Sequence, residues 1–196
     1  GDTPFFQRDD LPAGDRLALF TDCADHSRAG EKIKALYPAP QACFDHHVSN
    51  VGFAKRNFVD TGSAATAEVL AGVFIDADIA FDATTAQALY TGIMTDTGQF
   101  RFPSTSKRVF QLCAELVPRG ASPAQAGQEL FERESVGKLK LLENYLGSLK
   151  FECHGRVCIG ILPAGIFERV GATVEDTEGL VDYARSIEGV EVGVLI

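Results

Sequence analysis

The sequence predicts an α/β protein in which a parallel-sheet domain is joined by a helix to a smaller α/β unit. Two short apolar runs each end in an aspartate, which is typical of parallel strands. Several segments with helical periodicity follow these runs. After Leu149 the pattern changes to shorter strands and helices, which indicates a second unit.

The two predicted strands of the first domain span residues 17–21 and 42–44. Asp22 follows the first strand and Asp45 follows the second. Ligand sites in open α/β sheets lie outside the carboxyl ends of the strands. We therefore expect buried strands that bring these two aspartates to the same edge of the sheet.

Helices are predicted to fill the rest of the first domain. Thr61 or Ser63 is suited to cap a helix over 64–74, and Asp82 is suited to cap another that runs through Met94. Further helices are expected over 107–117, 123–133 and 136–149, the last with an apolar stripe made by Leu139, Leu142, Leu146 and Leu149.

The domain boundary is predicted near residue 134. Residues 1–134 would form the first domain, 135–149 a connecting helix, and 150–196 the first part of the second domain. Within that second part we expect a strand, a helix and a strand, over 157–162, 178–187 and 190–196. Because the chain starts at Gly1 and stops in an apolar run, we expect it to be a piece of a longer protein.

Composition narrows the range of functions. The chain lacks both an apolar run of roughly 18 residues and a signal peptide, so a cytoplasmic location without membrane insertion is expected. A net charge of −9 disfavours a surface for long nucleic acids, although a small anionic substrate remains compatible. The five cysteines are expected to be reduced. Cys153, His154 and Cys158 match no structural zinc pattern.

The side chains best suited to chemistry are Asp45, His46 and His47, which are consecutive. Successive side chains of an extended strand point to opposite sides, so one histidine would ligate a metal while the other faces substrate. Asp22 would lie at the same edge, and Asp96 follows an apolar helix in a Thr-Asp-Thr-Gly segment. Such a triplet can also be structural, and Asp-Thr-Gly is also an ordinary helix-ending turn.

Carboxylate and imidazole ligands without clustered thiolates suit Mn²⁺, Mg²⁺ or Co²⁺. Two such ions about 4 Å apart can activate water and hold phosphoryl oxygens. Such a pair of ions suits phosphoester hydrolysis, and it requires the carboxylates of Asp22 and Asp96 to lie within metal-bridging reach of each other.

Three segments in series resemble the second, third and fourth motifs of the DHH phosphoesterases: 20–28, 44–50 and 90–102. Residues 150–196, including 176–181 and 189–194, resemble the first half of the DHHA1 domain of that family. The resemblance implies a metal-dependent hydrolase of the oligoribonuclease and phosphoadenosine-phosphate phosphatase branch. It extends over nearly the whole chain.

The resemblance implies a metal site for two Mn²⁺ ions, or for Mg²⁺ or Co²⁺. By analogy, Asp22 would bridge the two ions, His46 would be a direct ligand, and Asp96 would bind one ion. Asp45 would orient the ligating histidine, as carboxylates behind metal-bound imidazoles usually do. His47 would meet the phosphate or the leaving group.

Arg28 and Arg101 follow the second and fourth motifs and are assigned to substrate binding, with a solvated surface role as the alternative. The first motif of the family, Asp-x-Asp-Ala, does not precede Asp22, and the Gly-Gly-Gly-His segment of DHHA1 is also missing. Two interpretations remain open: an inactive fragment of an active enzyme, or a degenerate module that binds nucleotides.

The substrates implied by the resemblance are short oligonucleotides or nucleotide 3′,5′-bisphosphates. Polyphosphate or pyrophosphate is the alternative, because hydrolases for these compounds share the same motifs. We also expect that the chain can form a homodimer through exposed apolar surface.

Overall fold

The computed structural model describes residues 16–196. Contacts between residues divide it into a first unit that ends at Ala126 and a second unit that begins at Gly127. The α/β fold class is confirmed, because both units combine a small sheet with helices. The domain boundary near residue 134 and the identities of the two domains stay predictions.

The sheet of the first unit contains three parallel strands in the order β1 (Leu19–Thr21), β2 (Ala42–Asp45) and β3 (Arg56–Val59). β2 lies in the centre and is mostly buried, as predicted. The prediction that the first strand is buried is wrong, since Leu19 is 65% exposed. β1 pairs only with β2 among the described residues and therefore forms an edge of this sheet.

Five helices follow the strands or connect them: α1 (Glu31–Leu36), α2 (Thr66–Asp76), α3 (Ala83–Asp96), α4 (Lys107–Leu116) and α5 (Pro123–Phe131). The Asp82 cap is confirmed, because its carboxylate accepts a hydrogen bond from the backbone N–H of Thr85. The predicted caps Thr61 and Ser63 are wrong. Ala65 occupies the N-cap of α2 without a side-chain hydrogen bond, and the Glu68 carboxylate accepts from the backbone N–H of Ala64 instead.

Helices α2, α3 and α4 enclose the core of the first unit. Ala71, Ile93, Val109, Leu112 and Leu116 are among its buried residues. A Cβ added at Gly92 of α3 would lie 2.8 Å from the Cβ of Ala67 in α2. α2 and α3 are therefore in close contact where Ala67 of α2 meets Gly92 of α3.

The second unit is built on the strands and α-helices α6 (Val136–Gly147), β4 (Lys150–Glu152), β5 (Val157–Gly160), α7 (Ile166–Val170), α8 (Leu180–Arg185) and β6 (Val192–Leu195). β5 lies in the centre of the sheet, antiparallel to β4 and parallel to β6. The core of the second unit is formed by Leu141, Tyr145, Cys158, Ile166, Leu180 and Ala184.

The buried face of α6 differs from the predicted leucine stripe. Leu142 and Leu149 pack against the core as predicted, whereas Leu139 and Leu146 are exposed. Gly137, Leu141 and Tyr145 are the buried residues of the helix. A Cβ at Gly137 would overlap the backbone carbonyl of Gly171, so the absence of a side chain at position 137 permits close packing. Across the described part of the chain, no helix is both long and apolar enough to cross a membrane.

Candidate metal centre

The ends of β1 and β2 bring the first site residues together. The strands pair in parallel, and the backbone N–H of Asp22 donates to the carbonyl of Phe44 at 3.0 Å. Asp22 has a φ of 57°, which is uncommon for a residue other than glycine. Such left-handed positions are concentrated at functional sites, where the surrounding structure holds them. The pairing therefore places the Asp22 carboxylate next to the end of β2.

Asp45, the last residue of β2, is fully buried and anchors this end of the sheet. Its Oδ1 accepts hydrogen bonds from the backbone N–H of His46 at 2.8 Å and from Nδ1 of His47 at 2.7 Å. Its Oδ2 accepts from the Asn50 side chain at 2.6 Å. Burial alone would raise the pKa of Asp45, but the hydrogen bonds from Asn50, His47 and His46 lower it. The carboxylate is therefore held in its charged form.

The two histidines lie on the same side of the strand end, which corrects the prediction that they point apart. Their ring centroids are 4.5 Å apart. The strand ends at Asp45, so the alternation of an extended strand no longer applies to the residues that follow.

The two imidazoles have different anchors. Nδ1 of His46 lies 3.2 Å from the carbonyl oxygen of Ser63, whereas Nδ1 of His47 lies 2.7 Å from the Asp45 carboxylate. Asp45 thus orients the His47 ring, and the prediction that it orients the ring of His46 is wrong. Because a carbonyl can only accept a hydrogen bond, this contact requires a proton on Nδ1 of His46 and leaves its Nε2 free to bind a metal.

The end of α3 supplies the third candidate ligand. Asp96 is the last residue of that helix, and its Oδ2 lies 3.9 Å from Nε2 of His46. The same nitrogen lies 3.7 Å from Oδ1 of Asp22, so both carboxylates flank Nε2 of His46, and metal-bridging reach between them stays a prediction. Partial burial and then the negative charge of Asp22 raise the pKa of Asp96. A cation between these carboxylates would offset their mutual repulsion.

The donors of this cluster fit a divalent metal ion. Asp22, His46 and His47 each place a ligand atom within 4.8 Å of the others, and they form the one such group within residues 16–196. Asp96 joins the cluster through His46. Nδ1 of His47 is already bonded to Asp45, so only its Nε2 has a lone pair available for a metal or a proton. Two carboxylates and a free imidazole nitrogen match the hard and borderline cations predicted from the sequence.

The predicted substrate arginines are not part of this cluster. Arg28 is exposed in a short 3-10 turn, and Nε of Arg101 donates to the carbonyl of Gly98 at 2.8 Å. Among the described residues, neither arginine forms a hydrogen bond or ion pair with the metal-site side chains. Their roles stay predictions.

Sequence reasoning missed three supporting residues. Asn50 holds Asp45, the Ser63 carbonyl holds His46, and the Thr66 hydroxyl donates to Oδ1 of Asp22 at 2.8 Å. Asn50 could have been found, because it lies five residues after Asp45 within the recognised segment. The Ser63 contact has no sequence signal, since any residue carries a backbone carbonyl.

Comparisons with known proteins agree with this architecture. The chain is 32% identical over 152 residues to the bifunctional oligoribonuclease and PAP phosphatase NrnA of Thermus thermophilus, covering 78% of this chain and 45% of that protein. It is 22% identical over 179 residues to NrnA of Bacillus subtilis, covering 89% and 56%. The chain spans about half the length of the curated relatives it matches. No protein-family model matches the chain.

The fold is also similar to that of a solved structure. An exopolyphosphatase-related protein from Bacteroides fragilis superposes with a TM-score of 0.79 at 23% identity. The match covers 88% of this chain and 52% of that one.

Proposed function

The chain belongs to the DHH-family phosphoesterases, and from this premise we propose that its site hydrolyses phosphoester bonds by a two-metal mechanism. The observation that carries the proposal is the position of His46, whose Nε2 lies within 4 Å of carboxylate oxygens from both Asp22 and Asp96. Paired acidic ligands beside a free imidazole nitrogen are what neighbouring hard cations require.

We assign Asp22, His46 and Asp96 as ligands of Mn²⁺, with Mg²⁺ or Co²⁺ as substitutes. Asp22 would be the bridging ligand in this assignment, as the resemblance of residues 20–28 to the second family motif implies, and its Oδ1 lies 3.7 Å from Nε2 of His46. When bound, the ions would supply an activated water and neutralise phosphoryl oxygens. The fixed tautomer of His46 keeps Nε2 directed at the cluster.

His47 and Asp45 form the catalytic pair in this proposal. The Nδ1–H of His47 donates to a fully buried carboxylate, which holds the ring in one orientation. Nε2 of His47 is then the atom that can hold or release a proton next to the phosphate or its leaving group. Asn50 keeps Asp45 in place by occupying its other oxygen.

We propose short oligonucleotides or nucleotide 3′,5′-bisphosphates as the substrates. The names of the relatives from Thermus thermophilus and Bacillus subtilis support this class. The net charge of −9 also favours a small anion whose charge is neutralised locally. Arg28 and Arg101 are assigned to contacts with the substrate phosphate, because they follow the second and fourth motif segments.

A second candidate function is hydrolysis of inorganic polyphosphate or pyrophosphate. The fold similarity to an exopolyphosphatase-related protein favours it. The metal centre would be the same, and only the contacts to the group beyond the phosphate would differ. A nucleotide-binding module without catalysis is the third possibility.

We further propose that the 196-residue chain by itself hydrolyses its substrate slowly. Three ligand residues for two octahedral ions leave many positions to water, so metal affinity should be low. Self-association into a homodimer is part of the same proposal, to be measured by light scattering.

The test is an assay of the chain in millimolar Mn²⁺, beside any longer polypeptide that the gene encodes. The substrates are a dinucleotide, 3′-phosphoadenosine 5′-phosphate, pyrophosphate and tripolyphosphate. Release of mononucleotide or nucleoside monophosphate, abolished by Asp96→Asn, is expected. Selective release of inorganic phosphate from tripolyphosphate would establish the second candidate. Binding of nucleotides without turnover in every polypeptide tested would refute the enzymatic proposal.

A further inference from the structure

Thr66, the first residue of α2, makes a side-chain contact that helix formation does not require. It is only 4% exposed, and its hydroxyl donates to Oδ1 of Asp22, a residue 44 positions earlier in the chain. That same oxygen lies 3.7 Å from Nε2 of His46 and 3.8 Å from Nδ1 of His47. The hydroxyl therefore contacts the carboxylate oxygen that faces the cluster.

The helix itself does not use this hydroxyl. Threonine near the start of a helix often caps the free backbone N–H groups, yet the N-cap position of α2 is Ala65 and has no side-chain hydrogen bond. The Glu68 carboxylate accepts from the N–H of Ala64 and supports the helix start in its place. The Thr66 hydroxyl is thus available to Asp22.

Asp22 needs such a contact to be held in one orientation. Its side chain is 58% exposed, and its backbone is left-handed. Within the described part of the chain, Thr66 is the one residue whose side chain forms a hydrogen bond with the Asp22 carboxylate. Without it, the carboxylate could rotate into solvent, because the histidine nitrogens lie beyond hydrogen-bond distance.

We propose that Thr66 is a positioning residue that fixes the Asp22 carboxylate in the orientation required for metal binding. This inference rests on the proposed function of Asp22 as a metal ligand. A hydroxyl donor suits the task because it uses one acceptor position of Oδ1 and leaves the other, together with all of Oδ2, for cations. It also adds no positive charge that would compete with the metal.

The alternative role of Thr66 is packing, since its methyl group is also buried. Two variants separate the roles. Thr66→Val keeps the branched shape and removes the hydroxyl, whereas Thr66→Ser keeps the hydroxyl and removes the methyl group. A packing role predicts that both variants resemble each other, or that the serine variant is the worse one. A positioning role predicts that only the valine variant is impaired.

The experiment measures Mn²⁺ binding to the full 196-residue chain by electron paramagnetic resonance of the free ion. A second measurement gives the side-chain rotamer of Asp22 in the metal-free protein, from three-bond couplings between Hα and Hβ. For Thr66→Val we expect about tenfold weaker Mn²⁺ binding, and Asp22 couplings that are averaged over rotamers. For Thr66→Ser we expect Mn²⁺ affinity within about threefold of the parent and a single rotamer.

Each outcome decides between the hypotheses. Parent-like Mn²⁺ binding by Thr66→Val, or equal weakening in both variants, would overturn the positioning role while leaving Asp22 as a ligand. An unchanged Asp22 rotamer in Thr66→Val would overturn it as well. If the parent chain itself does not bind Mn²⁺, the proposed function fails first, and the role proposed for Thr66 fails with it.

Discussion

Replacement of Asp45 by asparagine should disturb both stability and catalysis, because an amide cannot satisfy the donors around it. Oδ1 accepts from the N–H of His46 and from Nδ1 of His47, while Oδ2 accepts from Asn50. An asparagine offers one acceptor oxygen and one NH₂ group. If the NH₂ group faces Asn50, two donors meet at 2.6 Å, and Asn50 cannot simply rotate since its Oδ1 accepts from Gly52.

The opposite orientation damages His47. The NH₂ group of the new side chain would then face Nδ1 of His47, which must release its proton and become an acceptor. The proton would move to Nε2, so the neutral ring could no longer accept a proton at the atom that the proposed mechanism uses. Turnover is therefore expected to fall by about 100-fold to 10,000-fold, the usual contribution of a positioned general acid or base.

The stability change can be estimated from the same contacts. Hydrogen bonds to charged groups contribute about 1.5–3 kcal/mol each, and the variant weakens at least one and unpairs another. A loss of about 3 kcal/mol is expected, which lowers Tm by about 6–12 °C in a protein of this size. Circular dichroism melts of the metal-free chain measure it.

The effect of pH provides an internal check. The pKa of Asp45 is lowered from 3.8 in the folded state, so its stabilising contribution is complete above about pH 4 and is lost as the pH falls through the folded pKa. The asparagine variant lacks this titration. The difference in Tm between parent and variant should thus be large at pH 7 and should shrink towards pH 3.

The matched control is Asp82→Asn. Asp82 is exposed and caps α3 by accepting one backbone hydrogen bond, a task that asparagine performs equally well. We expect its Tm to stay within about 2 °C of the parent and its turnover to be unchanged. A parent-like Tm and turnover for Asp45→Asn would refute the hydrogen-bond network described here.

Three further predictions concern the site and the second unit. His46→Ala should abolish Mn²⁺ binding, whereas His47→Ala should keep the metal and slow turnover; equal loss of metal in both variants would contradict this division. Asp96→Asn should raise Tm of the metal-free protein by about 1–2 °C, because the raised pKa of this half-exposed carboxyl means that its charge opposes folding at neutral pH. Asp96→Asn should also weaken Mn²⁺ binding. A Tm of this variant below that of the parent would show that repulsion from Asp22 is unimportant. Gly160→Ala should lower the free energy of unfolding of the second unit by about 2–3 kcal/mol, because the added methyl group overlaps the buried ring of Tyr145. Gly147→Ala is the control, since its methyl group meets open space and should leave the free energy of unfolding unchanged. Chemical denaturation measures both variants.

The sequence was sufficient to predict the parts of the site that depend on local patterns. Asp22 and Asp45 were found because each follows a short apolar run, and ends of parallel strands meet at one edge. The helix from Asp82 towards Asp96 was found from its cap and its apolar face. The apolar runs and the helix cap that carried these predictions each involve residues that are close together in the sequence.

Other features depend on tertiary contacts that no local pattern contains. β3 has four exposed residues and no alternation of apolar and polar side chains, so nothing in its sequence indicated a strand. The exposure of Leu19 depends on which strands pair with β1. The buried face of α6 includes Gly137, whose use as a packing position follows from the segment that meets it and not from its own apolarity.

The contrast between His46 and His47 explains how two adjacent imidazoles can have separate tasks. A carbonyl partner fixes the proton on Nδ1 of His46, so its Nε2 carries the lone pair that a metal can bind. The Asp45 carboxylate instead holds Nδ1 of His47 and sets the orientation of that ring. The two anchors lie on different elements, since Asp45 ends β2 and Ser63 precedes α2. The division of labour therefore arises from the fold around the histidines, because the residue type at the two positions is the same.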